Sequence, residues 1–153
     1  MNSHSAFHFA RAAVPLLLVT TASGACRRDP NTMFARMLER AASWSASIQF
    51  TNEMARSQYV PPGYVHDVLS TAAQELTTLR QQIIEDDDVP QSARNEAGED
   101  CARLLSIVQS ADAAKTIADD GQLRAVEMRL RERATAMRST AMRSTVPASG
   151  GDR

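Results

Sequence analysis

From Asn31 to Ser57 the positions Phe34, Met37, Ala41, Trp44, Ile48, Thr51 and Ala55 alternate spacings of three and four residues. A stripe at that period lies along one side of a helix, so the segment predicts an amphipathic helix with Asn31 or Thr32 as its cap. The pattern repeats between Gly63 and Glu85, where Val65, Leu69, Ala72, Leu76, Leu79 and Ile83 share one face. A third stretch, Gln91 to Ala118, carries Ala93, Ala97, Cys101, Leu104, Val108 and Ala111, with Ile117 further on. Its polar interruption near Ser110 to Ala113 leaves open one helix or two, since Asp112 could cap a short second one. The fourth, Gln122 to Arg143, places Leu123, Val126, Leu130, Met137 and Ala141 together, and Asp119 with Gln122 has the spacing of a capping box.

The breaks between these stretches are short. Val60-Pro61-Pro62-Gly63 removes two backbone donors and fixes two φ angles, which requires a turn. Asp88-Val89-Pro90 and Asp119-Asp120-Gly121 punctuate the later junctions. Short connections between long helices make consecutive helices antiparallel neighbours, so residues 31–143 predict an all-α, up-down-up-down four-helix bundle. Four similar seams can also close by dimerisation, which leaves the oligomeric state open. Met137-Arg138-Ser139-Thr140 recurs as Met142-Arg143-Ser144-Thr145, and the small, polar residues 144–153 are expected to form a disordered tail.

Charge adds a constraint on packing. From Glu85 to Asp100 seven acids stand against Arg94, and from Gly121 to Thr145 six arginines stand against Glu127 and Glu132. In an antiparallel pair the acidic start of the third helix lies beside the basic end of the fourth. Each charge set then also suits its own helix dipole. With a net charge of −1 for the whole chain there is no overall attraction to nucleic acid, and no partner of that kind is expected.

The residues before the first helix read as an address. A weakly cationic start (His4, His8, Arg11) leads into an apolar segment, Ala12 to Thr21, and then into Ala22-Ser23-Gly24-Ala25-Cys26. Only 15 residues separate Arg11 from Arg27, several of them polar, against the roughly 20 apolar residues of a membrane span. A core helix is disfavoured by Pro15. Residues 1–25 therefore read as a signal peptide and residues 26–30 as a tether. The Ala22 to Cys26 segment resembles the lipobox of bacterial lipoproteins. That resemblance implies acylation of Cys26 and attachment to a membrane through the lipid. Ser23 and Ala25 also fit the small-x-small pattern of ordinary signal cleavage, which would release the chain into the periplasm.

Chemistry is sparse. Beyond the address the sole histidine is His66, beside Asp67, and it reads as an exposed or capping residue. No C-x-x-C, Glu-x-x-His or glycine-rich phosphate loop occurs, and the last helix offers no histidine to a haem iron. No catalytic residue, metal or cofactor is assigned. Glu85-Asp86-Asp87-Asp88 lacks the spaced ligands and turn glycine of an EF-hand. Cys101 reads as a small buried hydrophobe, or, if Cys26 is not acylated, as its disulfide partner. Trp44 reads as core. Tyr59 and Tyr64 flank the Pro-Pro-Gly turn, where they either staple the two helices or, with Pro61 and Pro62, form a surface for a protein partner. The chain as a whole suggests an exported, lipid-anchored bundle with a structural or protein-interaction role in the bacterial envelope. The alternative is a periplasmic bundle that holds a ligand or cofactor.

Overall fold

The computed structural model describes residues 29–144. Four helices follow in order: α1 (Pro30–Arg56), α2 (Pro62–Glu85), α3 (Gln91–Ala113) and α4 (Asp120–Ser144). They form an antiparallel up-down-up-down four-helix bundle, with no strand among the described residues. α1 packs most closely on α4 and α2 on α3; thinner α1–α2 and α3–α4 seams close the ring. Cross-links fix the directions. Glu39 in the first half of α1 meets Arg138 in the second half of α4, while Arg56 at the end of α1 meets Asp120 at the start of α4.

Helix starts follow from local chemistry. The cap of α1 is Asp29, whose carboxylate accepts from Thr32 N at 3.1 Å, two residues earlier than Asn31. The cause is Pro30: its fixed φ and missing N–H suit the first helical position, so the residue before it becomes the cap. Pro62 occupies the same position in α2. At α4, Asp119 accepts from Gln122 N at 2.8 Å, the cap half of the expected box.

Helix ends at the opposite pole share another device. Tyr59 N donates to Met54 O and Gln58 N to Ala55 O, while Thr116 N donates to Ala111 O and Lys115 N to Asp112 O. Both are Schellman closures, and they put Gln58 (φ 58°) and Lys115 (φ 52°) in the left-handed region that favours glycine. α3 therefore stops at Ala113, and residues 114–119 are a connection, not a continuation or a second helix.

All six predicted seam positions of α2 are buried. In α1 the buried set is broader than predicted: Ala35, Leu38, Ala42, Ser45 and Asn52 join Phe34, Ala41, Ile48 and Thr51. α1 lies between two neighbours, and apart from Leu38 the added positions are small or polar residues that a hydrophobic period overlooks. Ser45 Oγ donates to Leu123 O at 2.9 Å, which brings the side chain against the α4 backbone. Met37, Trp44 and Ala55, predicted on the seam, are only half-buried. Ala134 takes a buried place in α4, and Met137 sits half-exposed.

The acidic start of α3 and the basic end of α4 meet as the charge pattern predicts. Asp100, buried, accepts from Arg129 Nε at 2.7 Å and from Arg133 Nε at 2.8 Å, and Arg133 also pairs with Glu96. Across the α2–α3 loop, Arg94 of α3 donates to Ile84 O at 3.0 Å and to Asp87 at 2.7 Å.

Candidate functional site: the α1–α2 corner and the adjoining cleft

The Schellman closure of α1 and the Pro61-Pro62 start of α2 hold the first corner in a fixed shape. Ser57 N bonds to Glu53 O, and Tyr64 N to Pro61 O at 3.0 Å. On this corner Tyr59 is 76% exposed and Tyr64 49%, and Pro61 and Pro62 are also exposed. Tyr59 is too exposed to staple the helices, and the half-buried Val60 beside it packs against the core. Phe50, 63% exposed on α1, extends the aromatic surface. Phe50, Tyr64, Val68 and the half-buried Trp44 line a shallow groove between α1 and α2. Trp44 is thus a wall of a surface groove, not a fully buried core residue, because the α1–α2 seam is thin there.

Phe50 was legible in principle. It falls between Ile48 and Thr51 and so belongs to no inward stripe, and a large aromatic off the seam signals an exposed contact.

Beside the corner, the start of α2 and the end of α3 frame a cleft of about 580 Å³. Its apolar wall includes Val60, Val65, Leu69 and Ile117, and its polar rim is His66, Asp112 and Lys115. His66 Nδ1 lies 2.5 Å from Asp112 Oδ1, so this histidine bridges α2 to α3 and caps nothing. The sequence separates these rim residues widely; only the antiparallel pairing of α2 with α3 assembles them.

Cys101 is fully buried in α3. Burial first, and the nearby Asp100 charge second, push its thiol up to about 12, against a smaller opposing pull from Arg80. Such a thiol is a poor nucleophile. Residues 1–28, which include Cys26 and the expected signal peptide, lie outside the described residues, as do residues 145–153. Among the described residues no three His, Cys, Asp or Glu side chains converge as a metal site, and no helix is long and apolar enough to cross a membrane.

No family model matches this chain, and no curated protein and no solved structure matches it.

Proposed function

We propose that this protein is an exported, lipid-anchored helical bundle that presents its α1–α2 corner to a protein partner in the bacterial cell envelope. The observation that carries the interaction role is the exposed aromatic group Phe50, Tyr59 and Tyr64 on a corner fixed by two prolines and a Schellman closure. Large rigid aromatics contribute most of the binding energy in protein interfaces, and they lose little conformational freedom on binding. The lipobox-like segment ending at Cys26 supports the anchor. Three residues separate Cys26 from α1, which rises about 40 Å over its 27 residues, so an anchor at Cys26 would leave the corner at the remote pole.

The test is site-specific photo-crosslinking in the cell, with the probe at position 59 and, as a control, at exposed Thr77 on the middle of α2. The expected result is a discrete protein adduct from position 59 alone, lost when Phe50→Ser and Tyr64→Ser are combined. Equal adducts from both positions, or none from position 59, would defeat the proposal.

A further inference from the structure

The cleft between α2 and α3 has the composition of a ligand site; it adjoins the aromatic corner, with Val60 and Pro62 in its lining, but none of the exposed aromatics lines it. Its volume of about 580 Å³ lies within the roughly 300–1,000 Å³ usual for small-molecule pockets. Val65 and Leu69 form a buried apolar wall, and Val60 and Ile117 are half-buried beside them. Among the polar groups at the rim, the carboxylate of Asp112 is already engaged by His66 Nδ1 at 2.5 Å. Lys115, the sole lysine of the chain, forms no ion pair among the described residues. Its left-handed backbone, pinned by the bonds from its own N–H and that of Thr116, fixes where the side chain leaves the loop.

An apolar wall with one free cation at its mouth is complementary to a molecule with an apolar tail and a negative head. We propose that this cleft binds a single-chain amphiphile with an anionic head, a free medium-chain carboxylate, with the tail against Val65, Leu69 and Ile117 and the head on the Lys115 ammonium. The ligand needs no membrane anchor and no partner at the corner, so this site stands or falls independently of the proposed function. Lysine forms a hydrogen-bonded ion pair with the carboxylate, which a neutral head cannot do.

The experiment is calorimetric titration of the purified full chain with dodecanoate, dodecanol and dodecyltrimethylammonium, each kept below its micellar concentration. Dodecanoate is expected to bind saturably at one site, and the two other heads about tenfold more weakly or not at all. Lys115→Gln should weaken dodecanoate about tenfold without changing dodecanol. Lys115→Arg should restore most of the affinity, and Val60→Asp should abolish binding of both. Circular dichroism and the unfolding temperature of each variant establish that it is folded. No saturable dodecanoate binding, equal binding of the three heads, or indifference of dodecanoate to Lys115→Gln in a folded variant would each overturn the assignment. Vesicles of anionic phospholipid form a further arm: binding to them that displaces dodecanoate and is lost in Val60→Asp would assign the cleft to a membrane lipid and overturn the free carboxylate.

Discussion

Cys101 illustrates how one buried group records its surroundings. Its thiol keeps its proton up to about pH 12, whereas in the unfolded chain it gives it up near its ordinary value of 9.0. Between those limits the native state holds one more proton than the unfolded state, so stability falls as pH rises. The slope from this one group is about 1 kcal/mol per pH unit, fully absent below the lower limit. Urea unfolding at about pH 8 and about pH 10 should show that loss in the natural chain and lack it in Cys101→Ala. Iodoacetamide should leave Cys101 untouched in the folded protein and modify it once the chain is denatured; rapid reaction of the native thiol would contradict its burial. Asn52 is a second such residue. Fully buried, it donates to Ala118 O at 2.8 Å and to Asp120 at 2.6 Å, pinning the α3–α4 connection to α1. Asn52→Ala would leave that buried carbonyl without its side-chain donor and should cost about 1–3 kcal/mol in equilibrium unfolding. Partial burial raises the Asp120 carboxyl, but the bonds from Arg56 and Asn52 and the charges of Arg56 and Arg124 outweigh it and hold the group below its ordinary value. Its contribution is therefore present at neutral pH and lost as acid titrates the folded carboxylate. Asn52 and Ser45 were not legible in the sequence as core residues, because the backbone oxygens that accept from them, Ala118 O in the α3–α4 connection and Leu123 O in α4, are distant in sequence.

Among the elements, α2 was the most legible, since its one inward stripe faces the bundle interior and its other sides are open to water. Leu76→Ala empties a fully buried position on that stripe and should destabilise the fold by about 2–5 kcal/mol; an unchanged unfolding temperature would mean that the face is misassigned. α1 was less legible for the opposite reason. Packed against both α2 and α4, it buries adjacent positions such as Ala41 and Ala42, and a single stripe of period three and four cannot describe a face that wide. The end of α3 was the hardest to place. Nothing in Ala113-Ala114-Lys115-Thr116 carries the glycine that usually marks a left-handed closure, and Gln58 hides the end of α1 in the same way. Replacing Gln58 with Gly relieves a conformation that costs an ordinary residue about 1 kcal/mol, so Gln58→Gly should raise stability by up to that amount. A loss of stability would mean that the Gln58 side chain does more than close the helix.

For the whole molecule, the acidic and basic blocks were readable as a pair before any geometry was known, because antiparallel order alone sets them side by side. The bundle uses them internally: Asp100 is gripped by Arg129 and Arg133, which are themselves about one-third exposed. Asp100→Ala should cost about 3 kcal/mol, the low end for breaking a buried pair, since both arginines can turn toward water. The cleft was not legible, for its rim residues His66, Asp112 and Lys115 are neighbours only through the α2–α3 pairing and the turn that follows it. An even number of antiparallel helices returns the chain to the pole where α1 began, leaving the α1–α2 corner and the cleft together at the other. In the proposed arrangement that far pole faces away from the membrane, available to a partner and a ligand alike. The arrangement depends on Cys26 being the acylated first residue. The most direct measurement is the intact mass of the full-length product expressed in a bacterium and recovered separately from membrane and soluble fractions. The account predicts a membrane-bound species that begins at Cys26 and carries added acyl mass; a soluble species of unmodified mass, cut after Ala25 or uncut, would contradict it.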